Sequence, residues 1–337
     1  MKRRLQAMIL TAALIASSGI NVAAEDLAKD AVVGISIYQF EDDFMTLYCT
    51  ELVRYLTEEL GFSEKNILVE DAGNNRSLQK EQIKGFIDQQ VDVMILNLVQ
   101  PSGAPGVTDL CGEAGIPAVY INRQPYESEC RRWETEELMA SYVGADARQS
   151  GIYQGEEIAA TENSGDMNGD GEVTYIMIQG DPRNIDTQYR SAYSIKALEA
   201  AGLKTKELLA EDGGWNREQG KEIAAKALKQ YGDQIEVVFC NNDAMALGAL
   251  EAIQDAGRTV GKDILLSGVD ALPEAVEKVL EGHMTGTVFN DYISQSHCAA
   301  QTALNYLKGE EAEAVNLVDY IKVTADNAED ILKKISG

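Results

Sequence analysis

The sequence predicts an α/β protein made of two doubly wound parallel-sheet domains joined by a three-segment hinge. Three observations predict it. Strand-like and helix-like segments alternate from residue 32 onward, the pattern of a parallel sheet whose crossovers are helices. The alternation restarts after Tyr142-Val143-Gly144-Ala145-Asp146 with a second set of similar make-up. The tail, 286–337, is too short for a domain, so it is expected to cross back to the first sheet and then return to the second. Crossings are expected near Gly144, Asp291 and Thr324. The resulting division is a leader at 1–24, a first lobe of 25–143 plus 292–322, and a second lobe of 144–291 plus 323–337.

In the first set, strands are expected at 32–38, 66–71, 93–97 and 118–121, where apolar β-branched residues cluster. Helices are expected at 44–60, stopped by Gly61, at 77–90, and in a shorter piece near Leu110; the charged stretch 127–137 reads as a loop. The second set runs helix 150–160, strand 174–180, helix 186–201, strand 204–210, helix 216–231, strand 235–243, helix 244–256, strand 264–269 and helix 272–280. The tail adds a strand after Gly286, a helix at 292–307, a strand at 317–323 and a closing helix.

Lys2, Arg3 and Arg4, a short apolar stretch at 7–16, and Val22-Ala23-Ala24 before Glu25 read as a secretory signal peptide. No run approaches the ~20 apolar residues a membrane span needs, so an exported, soluble protein is expected. Residues 1–24 hold three positive charges and no negative ones, so their removal takes the net charge from −26 to −29. Nucleic acid and anionic membrane surfaces are poor partners for such a chain. The five cysteines, Cys49, Cys111, Cys130, Cys240 and Cys298, are too scattered for a disulfide framework; Cys111 and Cys130 are the one pair considered for a bridge. His283 and His297 have no ligand spacing, which disfavours histidine-based zinc sites and catalytic triads.

The strand 235–243 carries two features at opposite ends. Ligand crevices in open α/β sheets lie beyond the carboxyl ends of the strands, where Asn242 and Asp243 fall. Glu236, six residues earlier, is roughly 20 Å away at the rise of an extended strand. What Glu236 serves is suggested by Asp166-Met167-Asn168-Gly169-Asp170-Gly171-Glu172-Val173-Thr174, which matches the first nine positions of a calcium-binding EF-hand loop. Its twelfth position fails, being Met177 in a strand. A bidentate carboxylate must come from elsewhere, and Glu236 is the candidate. A solvated Asx turn is the bland alternative.

Polar residues fall just past the other predicted strands: Asp42 with Phe44, Asn97, Asp186 with Arg190, Asp270 and Asn290. Acids and amides with one arginine suit a ligand rich in hydroxyls, because each hydroxyl both donates and accepts. Phe44 and Trp215 supply flat apolar faces for the C–H faces of a pyranose.

With these residues the mature chain resembles the bacterial galactose/glucose-binding proteins, a branch of the type I periplasmic sugar-binding proteins that serve ABC transporters and, in some cases, chemoreceptors. The resemblance is carried by Asp42-Asp43-Phe44-Met45, Asn97-Leu98-Val99, Tyr142-Val143-Gly144, the loop 166–171, Asn241-Asn242-Asp243-Ala244-Met245-Ala246, Gly268-Val269-Asp270-Ala271-Leu272-Pro273 and Asn290-Asp291. It implies that Phe44 and Trp215 sandwich a galactose or glucose ring and that Asp42, Asn97, Asp186, Arg190, Asn242, Asp270 and Asn290 bond its oxygens. It implies Ca2+ at Asp166, Asn168, Asp170, the carbonyl of Glu172, Thr174 and Glu236, and a monomer that delivers sugar to the membrane subunits of an ABC transporter. Two positions depart. Thr174 stands for a glutamine at the ninth loop position, and Asn184 for a histidine that bonds the sugar. An amide cannot ionise, so affinity is expected to be flat between about pH 5.5 and 7.5.

Two other classes compete. Paired carboxylates around a sugar also describe a secreted, calcium-dependent glycoside hydrolase. Arg190 beside Asp186, however, is expected to hold that carboxyl low, and a general acid needs the reverse. The sugar-sensing core of a transcription repressor is disfavoured by the leader and by the lack of an N-terminal DNA-binding helix pair.

Overall fold

The computed structural model of the chain describes residues 27–336. The predicted leader lies outside them. In chain order the strands are β1 (Val33–Ile37), β2 (Ile67–Asp71), β3 (Val93–Leu96), β4 (Ala118–Ile121), β5 (Ala140–Gly144), β6 (Val173–Gln179), β7 (Thr205–Asp212), β8 (Val237–Cys240), β9 (Leu265–Ser267), β10 (Thr287–Phe289), β11 (Val315–Leu317) and β12 (Ile321–Val323). The first sheet runs β2-β1-β3-β4-β5-β11 and is parallel throughout. The second runs β7-β6-β8-β9, also parallel. Single bridges, Ser267 to Gly286 and Asp270 to Phe289, carry it on to β10, against which β12 lies antiparallel.

Both faces of each sheet are covered, and the strands therefore read as near-continuous apolar runs. Successive strand residues point to opposite faces. In β3, Val93 and Ile95 join the core shared with the helices Asp43–Arg54 and Tyr292–Leu307, while Met94 and Leu96 join Ile83, Phe86, Cys111 and Trp133 on the other side. In β6, Ile176 and Ile178 are divided from Tyr175 and Met177 in the same way. The helices Ala147–Ala159 and Ile185–Ala200 approach closely because Gly155 has no side chain; a Cβ there would sit 2.3 Å from the Ser194 carbonyl oxygen. That contact fixes the helix that carries Asp186 and Arg190.

Three segments link the sheets: the turn after β5, the step from β10 into the helix Tyr292–Leu307, and 318–320 between β11 and β12. The last differs from the expected place near Thr324. The apolar run 317–323 reads as one strand, but it is split between the two sheets, with Val318 N bonding Gly144 O and Tyr320 N bonding Gln149 Oε1 at 2.7 Å.

Two further differences have local causes. Glu127–Thr135 is a helix, held by Trp133, which stacks on Tyr120 at 5.2 Å between ring centroids and donates from Nε1 to Glu129 at 2.8 Å. Glu129 also takes two bonds from Arg132, so the charges that suggest a loop are paired along the helix. All five cysteines are free, and burial pushes the Cys111 thiol up to about 12 and the Cys130 thiol up to about 11. Cys111 lies against Met94 Sδ at 3.9 Å, as a small core residue.

Candidate functional site

The carboxyl ends of the two sheets face each other across a small cavity. The first lobe contributes Asp42, Phe44, Asn122 and Arg123; the second contributes Asn184, Asp186, Arg190, Trp215, Asn242 and Asp270. Three of these residues also start helices. Asp42 Oδ1 accepts from Met45 N, Asn184 Oδ1 from Asp186 N, and Asn242 Oδ1 from Met245 N, at 3.0 to 3.2 Å. Each cap satisfies an orphan helix donor and fixes the rotamer of a side chain that faces the cavity. Asn184 keeps its amide hydrogens, and Asp42 also accepts from the Tyr38 hydroxyl.

Trp215 is placed by unusual backbone. Gly214 and Trp215 both have positive φ, +58° and +68°, and the indole lies flat on Gly180, where an added Cβ would come within 2.1 Å of the ring. Asn242 Nδ2 holds the Trp215 carbonyl at 3.2 Å. Phe44 is buried against Tyr48 and Tyr292 and faces the cavity from the other lobe.

Arg190 is the charged centre. Its Nη1 donates to Asn241 O at 2.6 Å and approaches Asp270 Oδ1 at 3.5 Å, and its Nη2 donates to the Tyr320 hydroxyl at 3.2 Å. Its Nε and the Trp215 Nε1 are buried without a partner among the described residues. Unmade buried donors of this kind cost about 1–3 kcal/mol each, and a ligand oxygen removes the cost. Burial raises the Asp186 carboxyl above the usual carboxylate range despite Arg190 and Arg123. Asp270 is pushed up to about 7 by burial, against the pull of Arg190. The expectation that Arg190 would hold Asp186 low is thus overturned, because desolvation outweighs the attraction of the nearby guanidinium charges. Asp270 also sits at φ +113°, a conformation rare outside glycine.

Asn97 and Asn290 do not line the cavity. Asn97 is fully buried and spends both amide hydrogens on Ile121 O and Asn122 Oδ1, while its Oδ1 accepts from Tyr38 N, so it ties β1, β3 and the end of β4 together. Asn290 stands behind Asp270, donating to it at 3.2 Å and accepting from Gln295. In their place the structure brings in Asn122 and Arg123, which sequence reasoning missed. Both follow β4 directly, and the rule that singled out the ends of the other strands applies to this one too. Arg123 donates to Val99 O at 2.8 Å and covers the Tyr38 ring at 3.5 Å.

A family description, the periplasmic binding protein domain, matches residues 33–311. The D-galactose/methyl-galactoside binding periplasmic protein of Haemophilus influenzae is 32% identical over 92% of this chain and 95% of its own length. The chain belongs to the type I periplasmic sugar-binding proteins of ABC transporters. A solute binding protein from Bacillus halodurans, solved with myo-inositol, superposes with a TM-score of 0.78 at 28% identity, covering 91% of this chain and 99% of its own. A galactofuranose binding protein superposes at 0.80 with 23% identity, which speaks for the fold alone. Periplasmic binding proteins capture substrates for transport and are not enzymes, so the glycoside hydrolase alternative falls. Membership implies export, and no described helix is long and apolar enough to cross a membrane.

The loop 166–174 of this binding protein closes on Glu236 at the far end of β8. Glu236 is buried and accepts from Asn168 N at 2.9 Å and Thr174 N at 2.8 Å, with no ion pair among the described residues. Asp166 accepts from Gly169 N, Asp170 N and Gly171 N, Asn168 from Asp170 N, and Asp170 from Glu172 N. The oxygens of Asp166, Asn168 and Asp170 therefore belong to one folded loop that is bonded to Glu236, and an all-oxygen donor set is the kind calcium takes. Among the described residues no three His, Cys, Asp or Glu side chains form a ready metal cluster. A calcium ion would depend on Asn168, the Glu172 carbonyl and Thr174 as well as the acids.

The raised Asp270 carboxyl makes stability depend on pH. Between its ordinary value near 4 and about 7, the unfolded chain has released this proton and the native chain still holds it, so stability falls as pH rises through that window and levels off above it. Buried Asp243 and Glu157 are raised as well and act in the same direction. Asp270→Asn should therefore lose part of the slope: denaturant midpoints measured at pH 5 and 7.5 converge in the variant relative to the parent. Equal slopes would show that Asp270 does not titrate there.

Proposed function

We propose that this protein captures a hexose of the galactose or glucose kind between its lobes and hands it to an ABC transporter. The observation that carries the reading is the pairing of two unpartnered buried donors, Arg190 Nε and Trp215 Nε1, with the buried carboxylates Asp186 and Asp270 around one small cavity. A molecule that offers both lone pairs and hydroxyl hydrogens over a small ring satisfies both sets. Phe44 and Trp215 on opposite lobes suit its C–H faces. The galactose-binding relative at 32% identity supports a hexose, and the myo-inositol-bound structure at 28% supports a cyclic polyol as the second choice. The resemblance alone supports a monomer and a chemoreceptor as an additional partner, and the apolar stretch near the start supports a cleaved leader.

Calorimetric titration with galactose, glucose, ribose and myo-inositol tests it. A galactose or glucose affinity at least tenfold above the others is expected, and Asp186→Asn should weaken it by about 1.5–3 kcal/mol as a charged hydrogen bond is lost. Inositol or ribose preferred over both hexoses would reject the hexose assignment. The expected flat pH profile gives way too. Asp270 titrates near 7, so affinity should weaken as pH falls from 8 to 6 despite the amide at Asn184.

Calcium in the loop 166–174 is the second part of the proposal. It would link the loop to β8 through Glu236, at the opposite end of the second sheet from the sugar. At a calcium level 100 times the dissociation constant the gain in stability is about 2.7 kcal/mol. Chelation should lower the melting temperature and leave hexose affinity nearly unchanged, and Glu236→Gln should reproduce the effect. A melting curve indifferent to chelator sinks the assignment.

A further inference from the structure

In the first lobe, between the helices Arg76–Asp88 and Ala104–Ala114, lies a second pocket with a volume of about 120 Å³. It shares no lining residue with the cavity between the lobes, so filling one leaves the walls of the other free. Part of its lining is apolar: Ile83 and Leu98 are buried, and Val107 and Leu110 are half-buried. Gln79 is the buried polar residue of the lining, and its amide is already spent, donating to Ser36 Oγ and Asn97 O and accepting from Val99 N. An apolar cavity of about 150 Å³ is enough to take up a benzene ring.

The charge in the lining is all positive. Arg76 and Lys80 stand four residues apart, on one face of their helix, and no described carboxylate lines the pocket. Arg76 Nη1 donates to the neutral amide of Gln100 at 3.3 Å, and neither cation has an ion-pair partner among the described residues. The Arg76 guanidinium lies beside Gly103, where an added Cβ would be 3.9 Å from Nε. Gly103 also opens the helix Ala104–Ala114 without a side-chain cap, which brings the positive end of that helix to the pocket. In a chain of net charge −26 an anion is repelled from most of the surface, and here it meets two unmatched cations.

We infer that this pocket is a second binding site, separate from the sugar cavity, for a small amphipathic anion: a ring-sized hydrocarbon that carries a carboxylate. The ring lies on Ile83, Leu98, Val107 and Leu110, an apolar wall with few polar groups to orient its occupant. The carboxylate is held by Arg76, whose planar fork matches both of its oxygens, and by Lys80. Gly106 keeps the space open, since an added Cβ there meets no atom within 4 Å.

Ligand-observed NMR titration of the full protein with benzoate, benzyl alcohol and benzylamine tests it. Benzoate should bind at least fivefold more tightly than the alcohol, and the cationic benzylamine most weakly. Its affinity should stay within twofold when the protein is saturated with whichever sugar binds it best, whereas a ring lodged between the lobes would be displaced. The double variant Arg76→Gln with Lys80→Gln changes two exposed side chains and should abolish the preference for benzoate over the alcohol. Gly106→Phe, which fills the pocket, should weaken both at least fivefold, and all these changes should leave the affinity for the sugar within twofold. Absence of benzoate binding overturns the inference. So does binding that the sugar displaces, that the alcohol matches in the parent protein, or that survives both variants, because each removes the ligand from this pocket or the cations from its recognition.

Discussion

The structure depends on the buried guanidinium of Arg190. Arg190 projects from the helix Ile185–Ala200 and reaches the end of β8 through Asn241 O, the end of β9 through Asp270, and the third crossing through Tyr320. A buried charge is tolerated only where partners satisfy it, and here the partners are the strand ends and one of the segments that joins the lobes. Of its three nitrogens only Nε has no partner among the described residues, and the side chain lines the cavity. A ligand that engages it is therefore coupled to the residue that anchors the crossing.

The same economy recurs around the cavity. Asp42, Asn184 and Asn242 each cap a helix and line the cavity, so their rotamers there are held by hydrogen bonds the fold already needs. Glycines do the complementary work. Gly155 brings the Arg190 helix close, and Gly180 lets the Trp215 indole lie on bare backbone. Neither glycine touches the ligand space, yet each sets the position of a side chain that does.

Much of this was legible in the sequence because the rules that reveal it are local. Alternating apolar runs mark β1, β3 and β4, and the position just past a strand end marks Asp42, Asp186, Asn242 and Asp270. The failures have physical causes. Asn97 and Asn290 occupy the same kind of position, but their amides are spent on strand ends and on Asp270, a choice made by side-chain packing that strand position does not encode. Arg123 is equally well placed, just past the end of β4, and was passed over although the same strand-end rule covers it. The 127–137 stretch is a helix only because Trp133 finds Tyr120, and the split of 317–323 between two sheets depends on partners more than 170 residues away. Desolvation was the largest misjudgement: sequence shows that Asp186 has an arginine neighbour but not how deeply both are buried.

The central claim is that sugar binding and closure of the two lobes about the three crossings are one event, because the cavity is completed by side chains from both lobes. Small-angle scattering with and without saturating galactose or glucose tests it most directly. The account predicts a smaller radius of gyration in the presence of the sugar that binds, with no change on adding a sugar that does not. An unchanged radius despite tight binding would contradict it.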